Sequence, residues 1–338
     1  MAPAGSGSRA AVLVVGGAGY VGSHTVKGLL AAGYRAVVFD NLSTGHRQAV
    51  PRGARFLKGD LLQPASLGRA LAAHRFQAVF HFAARALVGE SVADPALYYR
   101  QNLTGTQNLL DAMRAHGVGK IVFSSTAAVY GEVRTAPLRE DHPKAPCNPY
   151  GRTKWTIECM LRDYGAAYGL RSVSLRYFNA AGCDPDGELG EDHDPETHLI
   201  PNVLRAARDR RRGVRIFGDD YETPDGTCVR DYVHVTDLAQ AHVRALEKLD
   251  SEIQVDAFNL GNGSGYSVRE VVDMAREVTG RPIRAELVGR RPGDPPVLVA
   301  SAERARAELG WQPVFGALGT ILETAWGWHR THPRGYGR

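Results

Sequence analysis

Ala10-Ala-Val-Leu-Val-Val15 runs directly into Gly16-Gly17-Ala18-Gly19-Tyr20-Val21-Gly22. The apolar run reads as a strand buried on both faces. The glycines permit a tight turn and let backbone N–H groups approach a pyrophosphate at the N-terminus of the next helix. Asp40 ends the second predicted strand, 18 residues beyond Gly22, close to the spacing expected of an acceptor for ribose hydroxyls. A Gly-rich turn alone is common. One that follows the first strand, opens a helix and precedes such an acid points to a dinucleotide site. A carboxylate there repels a 2′-phosphate and so favours NAD over NADP, while Arg47 nearby acts in the opposite sense.

Outward from this turn, further β-rich runs occur at Ala36–Asp40, Arg55–Lys58, Ala78–Phe82, Lys120–Ser124 and Ser172–Arg176. Helical patterns lie between them at Val21–Ala32, Pro64–Ala73, Pro95–Ala115 and Gly151–Tyr168, and Asp94-Pro95 has the form of an N-cap with Pro at the first helical position. The alternation predicts an α/β fold, a Rossmann-type doubly wound parallel sheet over residues 10–180. Residues 1–9 read as a flexible tail. Residues 181–338 read as a smaller mixed α/β substrate-binding lobe, with some segments returning to the first domain. Its helices are expected at Leu199–Arg211, Val235–Leu249, Val268–Thr279, capped by Ser267-x-x-Glu270, and Ala302–Leu309. The acidic stretch 182–198 reads as a long loop too polar to pack.

At 338 residues, with 43% hydrophobic and 23% charged positions, the chain is an ordinary globular protein. Its apolar runs are far shorter than a membrane span. Cys147, Cys159, Cys183 and Cys228 have no paired or metal-binding spacing and fit a reducing cytoplasm. A net charge of +5 suits an anionic ligand without indicating nucleic acid. The arginines at 205, 208 and 210–212 read as a solvated helix end. His193 and His198 lie among Asp192, Asp194 and Glu196 without recognisable ligand spacing, so the segment is taken as a substrate-covering loop and no metal is expected.

Tyr150-Gly-Arg-Thr-Lys154 sets a phenol and an ammonium one helical turn apart. A phenol is a poor base at neutral pH, and a neighbouring cation favours its phenolate. Ser124-Ser125-Thr126 ends the fifth strand, on the edge where such sheets bind ligands, and Asn148-Pro149 starts the Tyr150 helix facing it. A Thr126 hydroxyl there can share a proton with substrate and Tyr150.

Together these features resemble the extended short-chain dehydrogenase/reductase superfamily. More narrowly, His81-Phe-Ala83, Val88-Gly-Glu-Ser91, Phe123-Ser-Ser-Thr-Ala-Ala-Val-Tyr-Gly131, Asn148-Pro-Tyr-Gly151, Leu175-Arg-Tyr-Phe-Asn179 and Val229-Arg-Asp-Tyr-Val-His234 resemble the UDP-glucose (UDP-galactose) 4-epimerase family. Arg290-Arg-Pro-Gly-Asp294 and Leu309-Gly-Trp311 extend the likeness from Val12 to about Trp328. The resemblance implies Tyr150, Lys154 and Thr126 as catalytic residues. It implies NAD contacts at Gly16, Gly19, Tyr20, Val21, Gly22, Asp40, Asn41, Leu42, Ser43, Thr44, Gly45, Asp60, Leu61, Phe82, Ala83, Ala84, Asn102, Ser124, Tyr150, Lys154 and Phe178. Contacts to a UDP-sugar are implied at Thr126, Tyr150, Asn179, His198, Leu199, Arg215, Ile216, Phe217, Arg230, Arg291 and Asp294; the two arginines offer donors suited to a diphosphate. A homodimer through helices of the sheet domain is implied as well, with Tyr98-Tyr99 facing either the core or the second subunit.

The sequence departs from the family at Thr197-His198, where many members carry Asn-Asn, and at Ala84, often Gly. Leu298 lies in the region that sets room at the sugar's C2, leaving N-acetyl tolerance open. A 4,6-dehydratase would need an Asp-Glu pair after the strand-end Thr, where this chain has Ala127-Ala128. The 4-epimerisation of another UDP-sugar (xylose/arabinose, glucuronate/galacturonate or N-acetylhexosamine) shares the same chemistry. A non-catalytic NAD sensor would typically lose the Tyr/Lys pair.

Overall fold

The computed structural model describes residues 10–131, 136–251, 254–291 and 294–337. Strand β1 (Ala11–Val15) lies fully buried at the centre of a parallel sheet. Val12 and Val14 enter one hydrophobic core, and Ala11, Leu13 and Val15 enter another on the opposite face. A strand without a polar position is stable here because both faces are covered.

The other strands are β2 (Arg35–Asp40), β3 (Arg55–Lys58), β4 (Phe76–His81), β5 (Lys120–Ser124) and β6 (Arg171–Tyr177). A much later strand, Val255–Leu260, pairs with β6 and completes that edge. Among the described residues the order is Val255–Leu260, β6, β5, β4, β1, β2, β3, with every pair parallel. The order reverses between β1 and β4, which opens a crevice at their carboxyl ends.

Helix α1 (Tyr20–Ala31) opens directly from the Gly-rich turn. On the other face lie α2 (Pro64–Ala72), α5 (Gly105–Ala115) and α6 (Pro149–Tyr168), through residues such as Leu67, Leu109, Ile157 and Leu161. Between α2 and α5 come α3 (Val88–Ala93) and α4 (Pro95–Tyr98). The helix expected over 95–115 carries a π-helical turn at Tyr99–Thr104, which buries Asn102. Asp94 Oδ1 caps α4 by accepting from Leu97 N at 3.1 Å.

In the second half come α7 (Leu199–Arg208), α8 (Val235–Leu249), α9 (Val268–Thr279), α10 (Glu303–Leu309) and α11 (Leu318–Thr331). Helices α7, α9 and α11 share a third core with Trp328 buried in it, while α8 and α10 pack with the main sheet alongside Trp311. Short strand pairs connect these parts. Asn179–Ala181 pairs with Tyr232–His234, and Val229–Arg230 lies between Tyr266–Ser267 and Val297–Leu298. The Ser267/Glu270 capping box is formed. Segment 182–198 does pack, against its predicted behaviour. Cys183, Asp184, Leu189 and Glu191 are buried, and Lys27 of α1 bridges Asp184, Asp186 and Glu188 at 2.7, 2.8 and 3.0 Å. No helix among the described residues is long and apolar enough to cross a membrane.

Candidate active site

The carboxyl ends of the strands converge. Gly16 follows β1 at φ +83°, and a Cβ there would stand 2.4 Å from Ala83 N, so only glycine lets the turn lie against the β4 end. A Cβ on Gly22 would stand 2.2 Å from Gly16 O, so α1 can close onto the turn only without a side chain. No side chain caps α1 at Gly19, which leaves a helix N-terminus suited to phosphate. Asp40, buried at the end of β2, accepts from Ala18 N at 3.0 Å and Leu42 N at 2.8 Å. Burial raises its pKa, and these two bonds oppose the rise. Leu42 adopts φ +62°, an uncommon conformation for a branched residue, held by that bond to Asp40.

Asn41 Nδ2 donates to Asp60 Oδ2 at 2.9 Å, and Asn41 Oδ1 accepts from Ser43 N at 2.9 Å. Segment Ser43–Gly45 folds back so that His46 N donates to Ala18 O at 2.9 Å. Arg47 stacks over Phe56 at 4.7 Å. Leu61 is buried, as is Asn102, whose side chain bonds Arg85 N and O and Thr153 Oγ1 and thereby fixes the segment after Ala83 and Ala84. Phe82 packs 4.7 Å from His242, and Val21 joins the α1 core. The Tyr20 hydroxyl donates to Gly182 O at 2.5 Å, so that side chain serves the contact with the 182–198 segment.

Asn148 Oδ1 caps α6 by accepting from Gly151 N at 2.8 Å, with Pro149 at the first helical position. Tyr150 therefore lies in the first turn. Lys154 Nζ donates to Ser124 O at 2.8 Å, 4.8 Å from the centre of the Phe123 ring and 6.0 Å from that of Tyr150. Thr126 Oγ1 accepts from Ala128 N at 3.1 Å, and its hydroxyl stands on the side of the Tyr150 phenol, where it acts to lower the phenol's pKa. Phe178 packs on the small core of Ala127, Val129 and Tyr130.

The electrostatics differ from the simplest reading of a Tyr/Lys pair. Burial raises the Tyr150 pKa, opposed by the Thr126 hydroxyl. Burial lowers Lys154 from 10.5 to about 7, opposed by Glu158. Lys154 alone does not make Tyr150 a phenolate in the ligand-free chain; further positive charge has to arrive beside it.

On the lobe side, Arg230 Nη2 pairs with Asp294 Oδ1 at 2.8 Å, and its Nη1 donates to Pro295 O at 2.9 Å. Asn179 Nδ2 donates to Asp231 O at 2.9 Å, beside the same strand. Arg291 lies 3.7 Å over the Phe217 ring. Arg215 and Ile216 take opposite faces of their strand, the first exposed and the second buried. Leu199 packs on the third core, and the His198 ring turns to Glu191, with Nδ1 2.5 Å from Oε1.

Residues 12–261 match the NAD dependent epimerase/dehydratase family. The chain belongs to that family. It is 53% identical to the UDP-glucose 4-epimerase of Halalkalibacterium halodurans over 96% of this chain and 97% of the relative. A crystal structure of UDP-glucose 4-epimerase from Brucella ovis in complex with NAD superposes with a TM-score of 0.92 at 53% identity, covering 94% of this chain and 98% of that one. The corresponding enzyme of Bifidobacterium longum, in complex with NAD+ and UDP, gives 0.91 at 38% identity over 96% and 99%.

The cradle fits the cofactor of an NAD dependent epimerase/dehydratase. Gly16 leaves the space a Cβ would fill, the start of α1 is uncapped, and the Asp40 carboxylate retains lone pairs for ribose hydroxyls. A buried network behind the Tyr/Lys pair was not anticipated. Glu158, one turn beyond Lys154, accepts from Ser125 Oγ at 2.5 Å and forms a two-pronged pair with Arg176 at 2.9 and 2.5 Å. Arg176 continues to Tyr130 Oη at 2.8 Å, and Tyr130 to Asn259 Oδ1 at 2.7 Å. Ser124 Oγ bonds Tyr177 Oη at 2.6 Å. The i, i+4 spacing from Lys154 to Glu158 was the readable signal; the partners from other strands were not.

Proposed function

We propose that the chain is an NAD-dependent 4-epimerase that interconverts UDP-glucose and UDP-galactose through a transient 4-keto sugar. The arrangement that carries this reading is the Tyr150 phenol in the first turn of α6 beside the strand-end Thr126, with Lys154 one turn behind it, held on Ser124 O, and Ala127-Ala128 following Thr126 in the chain. Neither alanine can move a proton, so the site has one proton-handling phenol and lacks the pair that elimination of water requires. Bound in the cradle, NAD supplies a hydride acceptor and returns the hydride, so the reaction is redox-neutral overall.

Tyr150 takes the C4 hydroxyl proton and later returns it to the opposite face. Thr126 holds the phenol in place and stabilises its ionised form. Lys154, fixed on Ser124 O, orients the cofactor ribose and adds charge once protonated. Arg230 and Arg291 anchor the diphosphate while the hexose is held loosely enough to turn over. Asn179, Leu199, Phe217 and Asp294 shape the nucleotide's place around them.

Leu298 beside Arg230 is aliphatic, and UDP-glucose is taken as the substrate on the strength of the close relatives. A homodimer is supported by apolar exposure at Val88, Val92 and Tyr99 on the α3–α4 side, whereas Tyr98 is buried. The four free cysteines suit a reducing, cytoplasmic setting. The test is to incubate the purified chain with UDP-galactose, UDP-N-acetylgalactosamine, UDP-xylose and UDP-glucuronate without added NAD, following C4 inversion by NMR. Inversion of UDP-galactose ahead of the others supports the proposal. Loss of water from C6, or no turnover of any sugar, overturns it.

A further inference from the structure

The acidic segment next to α7 brings together side chains whose spacing in the chain gave no warning. Glu191, His193, Glu196 and His198 each direct one ligand-type atom into a common space, with all four atoms within 4.8 Å of one another. His198 Nδ1 lies 2.5 Å from Glu191 Oε1 and 3.6 Å from Glu196 Oε1. His193 Nδ1 lies 3.3 Å from Glu191 Oε1 and 3.9 Å from Glu196 Oε2. Donors around a tetrahedral zinc ion, at about 2.0–2.1 Å from it, stand about 3.4 Å apart. Three of these separations, 3.3, 3.6 and 3.9 Å, lie near that value, while the 2.5 Å hydrogen bond between His198 and Glu191 has to open and the widest pair has to close by small side-chain shifts as the ion enters.

A second observation points to a ligand. The side chains of Glu191 and Glu196 are only 3% and 1% exposed. His193 Nδ1 and Glu196 Oε2 are both buried without a hydrogen-bond partner, facing each other across the cluster. Arg205 Nη2 forms a long ion pair with Glu196 Oε2 at 3.7 Å, beyond hydrogen-bonding reach. Protonated imidazoles on the two carboxylates would balance charge, but they would leave those two atoms unsatisfied. A single cation at the centre serves both.

We propose that Glu191, His193, Glu196 and His198 form a divalent transition-metal site, zinc by its donor set. Two imidazoles with two carboxylates favour zinc over magnesium or calcium, which prefer oxygen alone. The His198 side chain, 48% exposed, and a surface cleft lined by Asp192, His193, Asp194 and Arg205 give the ion a route in.

The site's position gives it a purpose. The His193 ring meets Tyr20 edge-on at 6.1 Å, at the start of α1. Asp192 O bonds His46 Nε2 at 3.0 Å, and His46 N bonds Ala18 O within the cofactor turn. His198 immediately precedes α7. An ion here fastens the 182–198 segment between the cofactor turn and the substrate lobe. It touches neither Tyr150 nor Lys154, so its role is to position the segment and the start of α7, where His198 and Leu199 are the implied UDP-sugar contacts, rather than to take part in proton transfer.

The test uses the full-length chain without an affinity tag, produced with zinc in the medium and dialysed exhaustively. Mass spectrometry of the metal content is expected to give about one zinc per chain, and zinc-edge X-ray absorption a four-coordinate shell of nitrogen and oxygen. The double variant His193→Ala/His198→Ala is expected to lose at least roughly tenfold of that zinc while keeping its circular dichroism and bound NAD. Should that variant fail to fold, the wild-type chain stripped with a chelator serves instead, and titration with zinc chloride is expected to show saturable one-to-one uptake and a higher melting temperature. Less than about 0.1 metal per chain with no saturable uptake overturns the proposal, as do sulfur ligands in the absorption spectrum or unchanged zinc in a folded double variant.

Discussion

Lys154→Met is expected to make the ligand-free protein more stable at pH 6 while abolishing most of its activity. Lys154 is 3% exposed, and burial lowers its pKa from 10.5 to about 7. That fall corresponds to ~5 kcal/mol of disfavoured charge, at ~1.4 kcal/mol per pH unit. The unfolded chain binds more protons than the folded one between about pH 7 and 10.5, so the parent's stability rises with pH across that window. Below pH 7 both states are protonated and the whole cost stands. Methionine removes the charge at similar volume and loses the bond to Ser124 O, worth about 1 kcal/mol net. A further allowance of about 1 kcal/mol for imperfect repacking leaves an expected gain of ~3 kcal/mol at pH 6, which falls to about zero near pH 9 and becomes a loss of about 1 kcal/mol by pH 10. Urea unfolding of the cofactor-free parent and variant at pH 6, 8 and 10, followed by circular dichroism, measures it. A variant no more stable than the parent at pH 6, or a gap that does not change with pH, refutes the reasoning.

Tyr150→Phe is expected to lower kcat by roughly a thousandfold, within the range of a lost general acid–base, while the protein still binds NAD; steady-state kinetics and cofactor absorbance check both. Arg230→Met removes charge-assisted bonds to a diphosphate and should raise the KM for the UDP-sugar by about 10–100-fold, with a smaller change in kcat. Glu158→Gln leaves the buried Arg176 guanidinium without its counter-charge and is expected to cost about 3–5 kcal/mol in urea unfolding.

The sheet was legible because burial writes itself into composition. β3 and β5 were placed to the residue, and β1 was read as covered on both faces because it has no polar position. Helices with local signals were equally plain: Val235–Leu249 and Val268–Thr279 were bounded correctly, the second by its capping box. Val255–Leu260 does not read as a strand because Asp256 and Asn259 interrupt its apolar pattern; Asn259 is tolerated inside because Tyr130 donates to it and it donates to Leu138 O. Helix α11 is not legible in the sequence because Gly319, Gly327 and three threonines are weak helix formers, and packing of Ile321, Leu322 and Trp328 overrides that preference. Two-residue strands such as Val229–Arg230 exist only through distant partners. The same holds for the site: the Gly-rich turn and Tyr/Lys spacing are local, whereas the Glu158–Arg176 pair and the Glu191–His198 cluster depend on tertiary contacts.

The central claim is that Tyr150 and the bound cofactor invert C4 by removing a hydride and returning it within one site. Incubating the protein with UDP-glucose deuterated at C4, in ordinary water and without added NAD, tests this most directly. UDP-galactose that keeps its deuterium at C4 is the expected product, read by NMR and mass spectrometry. Washout of the label into solvent, or no C4 inversion at all, would contradict it.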